Sequence, residues 1–211
     1  MVHRTPFILP LLYPSLIWRM PSDGKQLFLT FDDGPVPGPT EFVLDTLRSY
    51  NIKATFFCIG DNIRKHPAVF KEVVDAGHKI GNHTFNHLNG WRTANSSYVE
   101  NVEECNKQIA ENLPPTSGSS SIFRPPYGRI TRSQIKSLVK FRIIMWDVLA
   151  IDYNDGLSST RCLKNTIKAS RPGSIIVFHD SYKAEKNLTF VLPKYIEHFL
   201  TLGFEFKVVP G

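Results

Sequence analysis

The sequence predicts an α/β fold: a (β/α) barrel of about seven parallel strands, with its active site at the carboxyl ends of the strands. Three observations predict it. From Leu27 onward, short apolar runs rich in aromatic and β-branched residues alternate with amphipathic runs at helical spacing. Strict alternation of this kind means parallel strands joined by right-handed crossovers. Polar, chemistry-bearing residues recur at the ends of the apolar runs, and a parallel barrel gathers those ends on one face. An open doubly wound sheet is the rival, but no glycine fingerprint follows the first strand.

Residues 1–26 precede the alternation and read as an apolar extension, packed on the domain or lying at a membrane surface. Residues 5–18 carry no charge. Pro6, Pro10 and Pro14 interrupt them and no small-residue cleavage site follows before Arg19, which argues against a signal peptide. The stretch is too short to span a bilayer as a helix, which needs about 20 apolar residues. Residues 27–211 read as one catalytic domain.

Within that domain, 27–31 is a strand of β-formers ending in the adjacent carboxylates Asp32 and Asp33, then a Gly-Pro turn. Residues 39–50 read as a helix with Phe42, Val43 and Leu47 on one side. A strand at 54–59 follows, then a helix over 61–76, capped by Asp61 and stopped by Gly77. Residues 79–82 form a short strand. The helix at 96–112 places Tyr98, Val102, Cys105 and Ile109 at helical spacing. Residues 114–121, Pro-Pro-Thr-Ser-Gly-Ser-Ser-Ser, are a loop and a site for variation or proteolysis. Strands at 122–124, 141–146, 174–178 and 204–209 alternate with helices at 131–140, 158–169 and 188–202. Ser158 caps the second of those helices, and Pro193 breaks or starts the third.

The bulk properties exclude more than they select. The 211 residues suit one domain, and 42% hydrophobic content is enough for a core. The net charge of +6 and pI of about 9.2 come from scattered lysines and arginines, so there is no nucleic-acid stripe. Such a surface suits an anionic glycan or lipid, but it equally fits no particular partner. Cys58, Cys105 and Cys162 have no CxxC spacing, hence no disulfide framework and no thiolate zinc site. They read as small core residues and weakly favour a reducing compartment. The expected location is the cytoplasm or the cytoplasmic membrane periphery.

Five predicted strand ends carry polar groups: Asp32 and Asp33, His83, Arg124, Asp147 with Asp152, and His179 with Asp180. His83 and His87 are four apart, and on a helical turn both imidazoles would face one ion. With an aspartate from another strand end they form a His-His-Asp set suited to a divalent metal, Zn²⁺ or a relative such as Co, Mn or Ni. One of Asp32 and Asp33 would ligate and the other move a proton; spacing does not say which.

Five ordered segments carry a resemblance. They are Thr30-Phe31-Asp32-Asp33-Gly34-Pro35, His83-Thr84-Phe85-Asn86-His87, Arg124-Pro125-Pro126-Tyr127-Gly128, Trp146 through Asp152-Tyr153, and Val177-Phe178-His179-Asp180. Together they resemble the five motifs of the polysaccharide deacetylase family (NodB-like, carbohydrate esterase family 4). The resemblance implies a distorted β/α barrel that removes acetyl groups from N-acetylated, sometimes O-acetylated, sugars with one divalent metal. It makes Asp32 the general base and Asp33 the metal ligand beside His83 and His87. It makes Arg124 the arginine that orients the base, and the Tyr127 backbone N–H an oxyanion donor. It makes His179 the general acid, with Asp152 raising its proton affinity.

The chain departs from the family in three places. Leu149 stands where an acid is usual, Tyr153 replaces a tryptophan, and Val177 replaces the leucine that lines the acetyl pocket. These changes leave the acid–base and metal groups intact and bear on the substrate. Asp147 either stands in for the missing acid or is simply exposed. Trp91 and Tyr127 are candidates to stack on sugar rings, whereas Lys183 and Lys186 read as solvated loop lysines. The expected activity is metal-dependent hydrolysis of the acetamide of an N-acetylated saccharide. The alternatives are a hydrolase of a linear or cyclic non-sugar amide, and a non-catalytic saccharide-binding protein.

Overall fold

The computed structural model describes residues 3–22, 24–114 and 120–211. Most of the predicted 114–121 loop lies outside the described residues. In chain order the helices are α1 Ile8–Leu12, α2 Pro39–Ser49, α3 Gly60–Lys65, α4 Pro67–Asp75, α5 Asn95–Asn112, α6 Arg132–Ser137, α7 Ser159–Ala169 and α8 Glu185–Thr201. The strands are β1 Gln26–Asp32, β2 Thr55–Cys58, β3 Lys79–Asn82, β4 Ile122–Phe123, β5 Arg142–Ile143, β6 Val148–Leu149, β7 Ile175–His179 and β8 Glu205–Phe206.

Seven strands lie in the order β5-β4-β3-β2-β1-β7-β6, and β8 pairs with the first residues of β1. Every pairing between these strands is parallel, so the strand ends share one face of a curled half-barrel. β1 is central and buried along most of its length. Its side chains alternate between two cores. Leu27, Leu29 and Phe31 join the large outer core with Phe56, Ile176 and Phe178, under the α2, α4 and α8 helices. Phe28 joins Phe57, Ile122, Ile144 and Ile175 in an inner core. By the two-residue period of a strand, Thr30 and Asp32 share the face of Phe28, and Val177 and His179 share that of Ile175. The alternation that builds the inner core therefore also aims the site.

The edge strands β5 and β6 are consecutive in the chain, and residues 3–20 cover the backbone between them. Ile17 donates its N–H to the Ile143 carbonyl at 2.9 Å and accepts from Met145 at 2.7 Å. Thr5 N–H donates to the Asp147 carbonyl and Leu149 N–H to that of His3, each at 2.8 Å. Leu16 and Trp18 are buried with Phe123, Phe141, Ile143 and Met145. Phe7, Leu11 and Leu12 stay exposed. Among the described residues, no helix is long and apolar enough to cross a membrane.

Four local expectations are corrected. The helix foreseen over 61–76 is two, α3 and α4, because Pro67 has no N–H to continue the first. Asp61 does not cap it: its carboxylate pairs with Arg64 and Lys65 instead. The strand foreseen over 141–146 is only Arg142–Ile143; β6 was not foreseen, and the backbone of 144–147 divides its hydrogen bonds among Phe123, Ile175 and the amino-terminal stretch. Pro193 neither breaks nor starts α8, which runs through it. The roughly 3 kcal/mol cost of an interior proline is outweighed by burying Leu188, Val191, Leu192 and Ile196, each contributing about 1.5–3 kcal/mol. Cys58, Cys105 and Cys162 are free and buried, as the apolar pattern suggested.

Candidate active site

A cleft of about 440 Å³ opens at the carboxyl ends of the strands. Asp32, Asp33, His83, His87, Tyr127, Leu149, Tyr153, Val177 and His179 line it.

Asp32 is 3% exposed and sits beside His179 in the register of β1 and β7. Arg124 holds it: Nη1 donates to Oδ1 at 2.7 Å. Arg124 is fully buried, where an unpartnered guanidinium would cost several kcal/mol. It is not unpartnered. Nη1 also donates to Thr30 Oγ1, Nε to the Ile144 carbonyl and Nη2 to the Met145 carbonyl. Its guanidinium lies 4.1 Å from the centre of the Phe57 ring. That ring fits only because the paired residue is Gly81, where a Cβ would come within 2.4 Å of it. Gly81, Phe57, Arg124 and Asp32 thus form one supporting stack. With Oδ1 engaged, Asp32 turns Oδ2 to within 4.0 Å of His83 Nε2.

Asp33 faces the two imidazoles. Its Oδ1 is 3.3 Å from His87 Nε2 and 3.8 Å from His83 Nε2. One donor atom from each of these three residues lies within 4.8 Å of the other two. His83 Nδ1 is 2.7 Å from the Arg124 carbonyl, a hydrogen bond that leaves Nε2 with its lone pair toward Asp33. His87 Nδ1 is 3.1 Å from the Tyr127 hydroxyl. Burial lowers the His83 pKa to about 4, so the ring is neutral, as a ligand must be. Burial raises the Asp33 pKa, but the His87 hydrogen bond and the nearby histidines outweigh it, and the net shift is downward. A carboxylate and two imidazoles, the rings each held through Nδ1, fit a borderline divalent cation.

The two histidines do not stand on a helical turn, as their spacing suggested. They lie on a loop after β3, where Thr84 and His87 take left-handed φ values of 63° and 55°. Asn82 Oδ1 accepts the Thr84 N–H, Thr84 Oγ1 accepts the Leu88 N–H, and Asn101 Oδ1 accepts from Phe85. Asp33, Tyr127 and Ile151 are left-handed too. For β-branched Ile151 that is a genuine outlier, and it directly precedes Asp152.

His179 faces the metal-type set across the cleft. Asp152, 1% exposed, grips it: Oδ1 is 2.7 Å from Nδ1, and Oδ2 accepts the His179 N–H at 2.8 Å. Burial alone would lower the His179 pKa; the Asp152 charge and hydrogen bond reverse this and raise it to about 9. Tyr153 meets the imidazole edge-on at 4.9 Å.

Val177 and Leu149 line the cleft as apolar wall. Trp91 does not belong to that lining: it is 64% exposed, with its indole N–H on the Ile130 carbonyl. Neither reading of Asp147 holds. It is 4% exposed, away from the cleft, and accepts from Arg171 Nε and Nη2 and from Ser174 Oγ. Lys183 belongs to the cleft lining. The sequence reading missed Thr30, Asn82, Asn101, and Asn62, whose amide holds the Asp33 carbonyl at 2.7 Å. Only Thr30, a polar residue inside an apolar strand, left a visible signal.

A sequence model described as polysaccharide deacetylase matches residues 19–145. A peptidoglycan-N-acetylglucosamine deacetylase of Bacillus cereus is 34% identical over 90% of this chain and 69% of its own length. A chitooligosaccharide deacetylase of a Bradyrhizobium species is 31% identical over 76% of this chain and 73% of its own. Among solved structures, a peptidoglycan N-acetylglucosamine deacetylase crystallised with an N-hydroxybenzamide superposes with a TM-score of 0.89 at 30% identity, covering 98% of this chain and 95% of that one.

Proposed function

The chain belongs to the polysaccharide deacetylase family, carbohydrate esterase family 4, and on that premise we propose that it is a metal-dependent hydrolase of the acetamide of an N-acetylated saccharide. The observation that carries the proposal is one cleft holding three elements together. These are the Asp33–His83–His87 set, a separate carboxylate on Asp32, and a histidine charged through Asp152.

Asp33 and Nε2 of His83 and His87 would hold the cation. When bound, it supplies Lewis acidity to the acetamide carbonyl and to the attacking water. Asp32 is the general base. Its Oδ1 is fixed by Arg124, which leaves Oδ2 to take a proton from water at the carbonyl carbon. A base that also ligated the cation would be a poorer one. The Tyr127 backbone N–H is assigned to the developing oxyanion. His179 carries a proton on Nε2 and delivers it to the departing sugar amine, while Asp152 keeps Nδ1 oriented and stabilises the imidazolium. Val177, Leu149 and Trp146 form the apolar wall against which the acetyl methyl packs.

The test is acetate release from N-acetylated mono- and oligosaccharides, with and without a chelator. Release that the chelator abolishes and Zn²⁺ or Co²⁺ restores is expected. Release from simple linear or cyclic amides, with none from sugars, would select the non-sugar reading.

A further inference from the structure

Among the described residues, two cations in the cleft wall have no acid beside them. Arg129 follows the Pro126–Gly128 turn and lines the cleft next to Tyr127. Its guanidinium lies 5.3 Å from the Trp91 ring centre and 6.0 Å from that of Tyr127. Two aromatic faces thus position it, yet among the described residues its N–H donors meet no carboxylate or other acceptor. Arg124, the other arginine at the site, is by contrast paired with Asp32. Lys183, on the loop after β7, is the second cation. Its Nζ stands 5.6 Å from the Tyr153 ring centre, likewise with no acid partner among the described residues.

The carboxylates of the cleft cannot serve them. Asp32 is taken by Arg124, Asp33 by the imidazoles and Asp152 by His179. A preorganised, unpaired guanidinium at a substrate cleft is complementary to an oxyanion, which its planar fork binds through two parallel hydrogen bonds. The net charge of +6 favours encounter with the same class of molecule.

We infer that the saccharide deacetylated here carries an anionic substituent, a carboxylate or phosphate, near the scissile acetamide. Arg129 binds that group and Lys183 adds to the attraction. This rests on the deacetylase reading and narrows its substrate. It also revises the reading of Lys183 as merely solvated and gives Trp91 a task outside the cleft, as the plate on which Arg129 lies.

The test compares two substrate pairs by acetate release: an N-acetylmuramyl oligosaccharide against its methyl ester, and an N-acetylglucosamine oligomer with and without a 6-phosphate. In at least one pair the charged member should have a KM about tenfold lower or better, and the gap should shrink as salt is raised. Arg129→Gln should remove most of that ratio, Arg129→Lys should recover part of it, and Lys183→Gln should lower it less. Equal KM values within both pairs, or a ratio that Arg129→Gln does not change, would overturn charge selection while acetate release still upholds the deacetylase. No acetate from any of the four would overturn both.

Discussion

Asp152 binds His179 at two atoms, one carboxylate oxygen on the imidazole Nδ1 at 2.7 Å and the other on the backbone N–H at 2.8 Å. The side chain therefore cannot rotate without breaking the second contact, and its proton is held at neutral pH. The His179 pKa of about 9 lies above the ordinary 6.5. The stability gained from this pair is full below pH 6.5 and is lost as pH rises through about 9. Activity that needs the imidazolium should persist to the same limit. In Asp152→Asn the alkaline limb of the kcat profile should move down by one to two pH units. An unmoved limb would remove Asp152 from this role.

Replacing Asp32 by asparagine should cost about 10²–10⁴ in kcat, the range of a lost general base. Metal content, measured by elemental analysis, should stay near that of the wild type, because Asp33 and not Asp32 lies against both imidazoles. Loss of the metal would show that the two carboxylates have the opposite assignment.

His83→Ala should bind little metal. The milder Tyr127→Phe change removes only the hydroxyl beside His87 Nδ1 and should weaken metal affinity by about tenfold, the low end for a ligand's supporting hydrogen bond. Competition with a chromogenic chelator measures both. Full occupancy in His83→Ala would exclude that residue from the site.

Asp147→Asn should lower stability without touching the chemistry. It strips charge from a buried carboxylate that accepts three hydrogen bonds, and the half-exposed Arg171 recovers water in return. A loss of about 1–3 kcal/mol, or several degrees in Tm, is expected with kcat unchanged. A large fall in kcat with intact Tm would place Asp147 in catalysis after all.

Trp18→Ala should destabilise by about 3–5 kcal/mol, the cost of emptying a large buried aromatic site. Thermal melting checks this, and a shift within error would mean that the amino-terminal stretch is not part of the cooperative core.

Much of the fold was legible because period and punctuation in the sequence reflect burial directly. β1, α2, β3, α5 and β7 lie within a residue or two of their predicted bounds, since each buries one face or both. Two failures fell where a distant partner decides the outcome; the α3–α4 break at Pro67 did not, for that signal is local. Residues 141–149 split into two edge strands because one part pairs with β4 and the other with β7, with the amino-terminal stretch against the backbone between them, and no local pattern reports those pairings. Pro193 sits in a helix because the core beneath outweighs its local preference. The motif residues were legible through family resemblance, and their strand-end positions through alternation. What surrounds them was not: the loop carrying His83 and His87 depends on Asn82, Thr84 and Asn101, polar residues that single-sequence spacing cannot tell from solvent-facing ones.

The seam made by residues 3–20 has a consequence for the order of assembly. Those residues complete their pairing only with backbone more than a hundred positions later, so they must wait, unpaired and apolar, while the intervening chain is synthesised. During that interval Leu16 and Trp18 lack Phe141, Ile143 and Met145, which help to bury them. A ribosome-bound nascent chain of this protein should therefore bind holdase chaperones through residues 3–20 and release them once residue 174 has cleared the exit tunnel.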